Sequence, residues 1–335
     1  MGDTARRAGA GPNLSAPGAE RELLDTARWA AEHAPSVWNT RPWTLEADRG
    51  RISLRIDLRR RLPVADPALR ESVLSCGAAL LTIRITLLAG GWRPEVSRLP
   101  DPDRPGLLAD VSVAGTAEPG DLERALFSAV EHRHTHRGPF ENGVEDRGLL
   151  QDLSAAARTE GARLRTVTEP TLVRSLAGLV GAAEYLHRHE RDRGEEIARW
   201  TRESGDRTAL GVPAQDFPPA DDAPNRLFPG RDFGGGRVRG RMRVSGTSDG
   251  TVALLSTPGD TRADWLAAGE ALQRVLLTAA HGGVSAAFHP QPLEEPLLRG
   301  FIGERLGLAD GGHAQMLLRL GRPGASAPAS RRRAA

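Results

Sequence analysis

Two short stretches carry the side chains best suited to chemistry. The first, Ala34 to Trp43, reads Ala-Pro-Ser-Val-Trp-Asn-Thr-Arg-Pro-Trp. Its prolines fix their own φ angles and bias the residues before them towards extended backbone, so the stretch is a preset loop. Such a loop can point Ser36 and Asn39 at a ligand beside the flat apolar rings of Trp38 and Trp43. On residue types alone it reads equally as an irregular connection whose tryptophans fill the core. The second stretch is Glu131-His132-Arg133-His134-Thr135-His136-Arg137-Gly138-Pro139-Phe140. Guanidinium forks suit phosphate oxygens, and a hydroxyl between them adds a neutral donor. His132, His134 and His136 alternate as metal ligands on one side of an extended segment could. No cysteine or carboxylate cluster of ligand spacing lies beside them. A solvated charged loop is the plain alternative.

The only cysteine, Cys76, has no neighbouring histidine or arginine to make it reactive and reads as core packing. A single cysteine permits no internal disulfide framework, which suits a reducing, cytoplasmic compartment. The 45 basic residues, all arginine, are nearly matched by 43 acidic ones, a balance that argues against nucleic-acid binding. No apolar run is expected to reach the ~18 residues of a membrane span. Hydrophobic content of 39% over 335 residues supports a sizeable core in one large or two smaller domains.

The positioning elements follow from periodicity. Arg21 to His33 has a helical pattern that runs into the Ala34 loop. Thr44 to Ala47 and Ile52 to Leu58 read as a hairpin around Asp48, Arg49 and Gly50. Asp66-Pro67 reads as the start of a long helix carrying Val73, Cys76, Leu80, Ile83 and Leu87 and ending at Gly90-Gly91. A second long helix is expected over Arg262 to His281, ending at Gly282-Gly283. Cys76-Gly77-Ala78-Ala79-Leu80 aligns without a gap on Ala268-Gly269-Glu270-Ala271-Leu272, and at that offset the two terminal Gly pairs also coincide. This suggests an internal duplication. Strands precede both helices, and Gln315 to Leu320 is a further strand candidate, so each half reads as an α+β unit. Phe217, Leu227, Phe228 and Phe233 in the Pro/Gly-rich stretch 205–240 suggest a binding loop or lid.

The Ala34 loop resembles the Ala-Pro-Ser-x-x-Asn-x-Gln-Pro-Trp segment of nitroreductase-like flavoproteins, with Arg41 where Gln is usual and Trp38 where His is common. Arg133-His134-Thr135-His136-Arg137 is similar to that family's Arg-x-Ser/Thr-x-Arg phosphate segment. Together with Phe228-Pro229-Gly230-Arg231-Asp232-Phe233 and Leu255-Ser256-Thr257, they occur in the order of the Acg-type branch, in which two halves are fused.

The resemblance implies an α+β nitroreductase-like fold of two fused halves forming a pseudo-dimer. The expected divisions are a disordered tail over 1–20, one half over 21–130, a second over 131–323 and a C-terminal tail over 324–335. It implies one FMN per chain, with Pro35, Ser36, Asn39 and Arg41 towards the ring and Arg133, Thr135 and Arg137 at the phosphate. Arg331 or Arg332 would complete the phosphate clamp, with Arg319 as a substitute. Gly283 and Ser285 would lie near the flavin's reactive edge. The implied activity is an FMN oxidoreductase taking hydride from NAD(P)H and reducing a small-molecule acceptor. A flavin-sequestering protein and a biosynthetic flavin dehydrogenase are the other readings. A fused pair has already satisfied its main interface, so a monomer is expected.

Overall fold

The computed structural model describes residues 18–202, 210–216, 227–233, 246–306, 308 and 312–324. The expected terminal tails therefore lie largely outside the described residues, as do Phe217, the Gly234–Gly236 run, Arg331 and Arg332.

Helix α1 (Ala19–Glu32) buries Leu23, Ala27, Ala30 and Ala31 along one stripe. It leads through the Ala34 loop into β1 (Trp43–Asp48) and β2 (Arg51–Ile56), an antiparallel hairpin. Arg49 and Gly50, at φ 50° and 73°, form its two-residue turn. Paired positive φ angles of this kind match the right-handed strand twist. Ile52, Leu54 and Ile56 alternate into the core as their spacing predicts. Helix α2 (Arg70–Ala89) follows, then β3 (Trp92–Arg98), β4 (Leu107–Thr116) and α3 (Asp121–Ala129).

The remaining elements are β5 (Phe140–Asn142), α4 (Arg147–Thr159), β6 (Arg163–Val167), α5 (Pro170–His189), α6 (Arg191–Arg199), β7 (Thr201–Arg202), β8 (Val212–Pro213), β9 (Thr251–Thr257), α7 (Arg262–His281), β10 (Ser285–Phe288), α8 (Gln291–Glu294), α9 (Pro296–Arg305) and β11 (His313–Pro323). Helix α7 has the bounds its pattern predicts, because Thr261 and Asp264 close a reciprocal capping box and Gly282 ends the last turn.

The first sheet has the order β1-β2-β4-β3; read from β6, the second has the order β6-β9-β11-β10. In both, a long helix follows the second strand of that order and each adjacent pair is antiparallel. The helices α2 and α7 pack on each other at the middle of the molecule, each also covering its own sheet. Their contact is reciprocal. A Cβ on Gly77 would overlap the Leu266 carbonyl oxygen, and one on Gly269 would overlap that of Leu74, each carbonyl three residues before the glycine of its own helix. Self-complementary contacts of this kind characterise a two-fold interface.

The expected absence of a span-like apolar run needs correction at α2. Arg70–Ala89 is long and apolar enough to cross a membrane, with mean hydropathy 1.8, but 83% of that window is buried in the protein. A helix covered on one side by α7 and on the other by α1 and the first sheet is apolar all round. The start of α2 also differs from expectation. Leu69, at φ 63°, breaks the helix, so Pro67 lies before its first turn. Asp66 still acts as a cap at longer reach, its carboxylate accepting from Glu71 N (3.1 Å), Ser72 N (2.8 Å) and Ser72 Oγ (2.7 Å). Asp66→Ala is therefore expected to lower stability by about 1–2 kcal/mol in urea unfolding, with Asp66→Asn recovering part of the loss.

A buried ionic cluster joins the halves beside this crossing. Glu270 Oε1 lies 2.6 Å from Arg84 Nη1 and its Oε2 lies 2.7 Å from Arg98 Nε. Glu160 receives Arg84 and Arg274 at 2.8 and 2.6 Å. Such pairs set register more than they add stability, because desolvation offsets much of their attraction.

Candidate functional site

The Ala34 loop is held in an uncommon shape by its own polar groups. Trp38, Asn39 and Arg41 have φ of 43°, 54° and 47°, left-handed values that side chains with a Cβ adopt at a cost. Ser36 Oγ accepts from Arg41 N, Val37 N donates to Ser75 Oγ, and Asn39 Nδ2 donates to Gly211 O, each at 3.0 Å. The second stretch is placed by strand pairing. Thr135 bridges Ala286 in parallel, and His136 N donates to Ala286 O at 2.8 Å, which adds the segment to the edge of β10.

These placements bring Pro35, Ser36, Trp38 and Asn39 to the same cleft as Thr135, His136 and Arg137. Its space totals about 890 Å³ with the open mouth included. Glu71, Leu74 and Ser75 of α2, Leu272 of α7, Ala287 and Phe288 at the end of β10, His289 and Pro290 just after it, and Met316 and Arg319 of β11 also line it. Val212 of β8 and Gly230, Arg231 and Phe233 of the long connection before β9 also contribute. The cleft thus lies between the two halves and takes walls from both.

Other expected site residues lie elsewhere. Arg133 is buried beneath the first stretch, donating from Nη2 to His33 O at 3.3 Å, and does not line the cleft. Arg41 also lies off it, with its guanidinium 3.9 Å from Glu32 Oε1 and its pKa lowered by burial. Gly283, at φ 72°, forms the turn after α7, and Ser285 opens β10 opposite Gly321. Neither lines the cleft, which the chain reaches only at the far end of β10. Arg319, the substitute for the terminal arginines, does line it. Among the described residues no group of histidines, cysteines and carboxylates could hold a metal ion.

The cleft is strongly basic. Arg137 donates to Asp216 O at 3.3 Å and lies over the Phe233 ring at 5.4 Å; burial lowers its pKa. Arg231 lies 5.2 Å over the Trp38 ring and donates to Glu294 Oε1 at 2.7 Å. Arg319 donates from Nε to His289 Nε2 at 2.8 Å. That bond makes Nε2 an acceptor, so the proton of the neutral imidazole is on Nδ1. His289 is held neutral by burial and by Arg319, which place its pKa well below the usual value. Its Nδ1 and the indole Nε1 of Trp38 are buried with no hydrogen-bond partner among the described residues.

His136 is likewise neutral. Burial brings its pKa down to about 4, against a pull upward from its bond to Pro139 O. The unfolded chain, titrating near 6.5, binds the extra proton first. Stability from this group is complete above about pH 6.5 and is lost as pH falls towards 4. Equilibrium unfolding of the wild type should lose on the order of 2–3 kcal/mol more than His136→Gln across that window.

Sequence reasoning missed Glu71, Arg231 and His289. Arg231 sat inside a stretch already matched to the family, whereas only the fold brings Glu71 and His289 to the cleft.

Apolar flat walls, short polar groups and several guanidinium groups fit a planar ligand with an anionic end, and this donor set suits a flavin mononucleotide. The fold and cleft define an α+β protein with two sheets of the same strand order and a basic, aromatic-walled cleft. The chain is 33% identical to "Putative NAD(P)H nitroreductase Rv3131" of Mycobacterium tuberculosis over 303 residues, covering 90% of this chain and 86% of that protein. It is 28% identical to "Putative NAD(P)H nitroreductase acg" of the same species, covering 79% and 78%. The chain belongs to the nitroreductase-like family that includes these Acg-type proteins. No family model matches it. Among solved structures, an FMN-bound nitroreductase of Desulfitobacterium hafniense aligns at 15% identity over 61% of this chain and 92% of its own, with a TM-score of 0.38. One from Bacteroides fragilis aligns at 12% over 60% and 90%, with a TM-score of 0.37. Overlaps this loose bear on neither the fold nor the site.

Proposed function

We propose that the chain is an FMN-dependent oxidoreductase built as a fused pseudo-dimer that retains one site. The observation that carries this reading is that Pro35–Asn39 and Thr135–Arg137, distant in sequence, line one cleft between halves of equal topology. The names of the mycobacterial relatives point the same way. The α4–β6 connection, the topological counterpart of the Ala34 loop, has only residues 160–162 and no Pro-Ser-x-x-Asn sequence. A second, symmetry-related site would lack that wall.

Bound flavin supplies the redox chemistry, taking hydride from NAD(P)H and passing electrons to a small acceptor. The chain's part is to bind and orient. Pro35, Ser36, Asn39 and Trp38 would border the ring, Thr135 and Arg137 would hold the phosphate with Arg319 beside them, and the apolar walls would exclude water. A second reading, flavin sequestration, draws on Arg231 and Phe233, which enter the cleft from the long connection before β9.

The test is an absorbance spectrum after FMN addition and desalting, followed by anaerobic NADPH and NADH. Retained visible bands that bleach support the reductase. Bands that persist with both nucleotides favour sequestration, and failure to retain flavin refutes the site.

A further inference from the structure

Glu71 stands between two cavities. The residue, its side chain 5% exposed, lines the cleft and also a second cavity of about 1450 Å³, open space included, bounded by α9, Trp265 and the turn before α2. Among the described residues, no other residue lining either space lines both.

The groups facing it come from four elements. Arg70, on its own helix, donates from Nη2 to Glu71 Oε1 at 3.0 Å, but the same guanidinium also donates to Gln315 O at 2.8 Å. Asp66 precedes the helix, Glu294 ends α8, and Arg231 reaches in from the connection before β9. Burial, joined by Glu294, raises the Glu71 carboxyl to about 8 against the pull of Arg70 and Arg231. Burial thus favours the protonated carboxyl near neutrality. His136 and His289 are held neutral, with pKa values depressed by burial, and the other ionisable groups lining the cleft are arginines. Glu71 is therefore the lining side chain able to exchange a proton near neutrality.

We propose that Glu71 is the proton donor of the cleft, giving its carboxyl proton to the oxygen of a reduced acceptor and regaining one from water in the second cavity. This role rests on the reading of the cleft as a flavin reductase site. With a quinone-type acceptor, the dihydronicotinamide is the electron source through the bound flavin, and one hydride equivalent reaches the acceptor. The charge left on the second acceptor oxygen takes the proton. The O–H bond of Glu71 breaks as the acceptor's O–H bond forms, and the nicotinamide is oxidised as the quinone becomes a hydroquinone. The carboxylate left behind is held by Arg70 until a proton arrives from the second cavity.

The experiment compares FMN-loaded wild type and Glu71→Gln by stopped flow, with NADPH in the first half-reaction and a soluble benzoquinone in the second. Infrared spectra of the flavin-free proteins from pH 6 to 9 accompany it. Reduction by NADPH should change little. Reoxidation by the quinone should slow at least about 10-fold, and its decline above about pH 8 in wild type should vanish in the variant. Glu71→Asp should restore part of the pH dependence. Wild type should show a neutral-carboxyl band that titrates in the same range and is missing from Glu71→Gln. Equal quinone rates with equal pH profiles, or no such band, would overturn the assignment while leaving flavin binding intact. If wild type itself retains no FMN, the site reading and this role fall together.

Discussion

Gly269→Val is expected to lower the unfolding free energy by about 4 kcal/mol or to prevent folding. The atom that an added Cβ meets is the backbone carbonyl of Leu74, within a helix, and the Cα of Gly77 lies just behind it. No rotamer change can move a carbonyl oxygen already committed to a helix. Relief requires α2 and α7 to separate along their whole crossing, which opens gaps around Leu74, Cys76, Leu266 and Ala268, all buried now. Gly77→Val should cost as much, because the contact is reciprocal. Gly178→Ala in α5, where an added Cβ meets nothing within 4 Å, is the control. It should be neutral or stabilising by ~0.5–1 kcal/mol, since alanine is the better helix former. Urea unfolding monitored by circular dichroism separates these outcomes. A Gly269→Val protein as stable as the control would mean that the helices do not cross as closely as described.

That crossing also shows what was legible in the chain beforehand. The ungapped match of Gly77 with Gly269 and of the Gly pairs that end both helices pointed to a repeat, and the two sheets share one strand order. Local signals were reliable where the local chain decides the outcome: Thr261 and Asp264 start α7, and Arg49-Gly50 turns the hairpin. They were less reliable where a non-local contact wins. Asp66-Pro67 looks like a helix start, yet Leu69 takes a left-handed conformation and the cap acts from farther back. Of the site, the two short stretches were legible because their residue types are unusual together. Their individual side chains were not. Arg133 and Arg137 look equivalent in sequence, but pairing of Thr135 and His136 with β10 sends one under the Ala34 loop and the other to the cleft. Gly283 and Ser285 belong to a glycine turn that lies at the opposite end of β10 from the cleft. Glu71 gave no signal because its properties come from burial and from Glu294, distant in sequence, and its place between two cavities exists only in the folded chain.

The difference between those arginines leads to the second large effect. Arg137→Ala should weaken FMN binding by roughly 100-fold, the equivalent of losing about 2–3 kcal/mol in charge-assisted hydrogen bonds. Of the three guanidinium groups in the cleft, Arg137 is the least committed. Arg231 is held by Glu294 at 2.7 Å, and Arg319 by His289 and by Asp249 O, both at 2.8 Å. The hydrogen bond from Arg137 to Asp216 O is longer, 3.3 Å, and burial already disfavours its charge. An arriving phosphate would restore the solvation that burial removed. Riboflavin, identical in the ring but without phosphate, distinguishes this from a general collapse of the site. Fluorescence titrations should show Arg137→Ala losing affinity for FMN while its affinity for riboflavin stays within about 3-fold of wild type. Arg137→Lys should fall between, since an ammonium keeps the charge but loses the two-pronged geometry. Arg133→Ala, off the cleft, should show a smaller FMN-specific loss. If FMN and riboflavin weaken equally, Arg137 shapes the pocket without reading the phosphate, and that role would pass to Arg319 or to the terminal arginines.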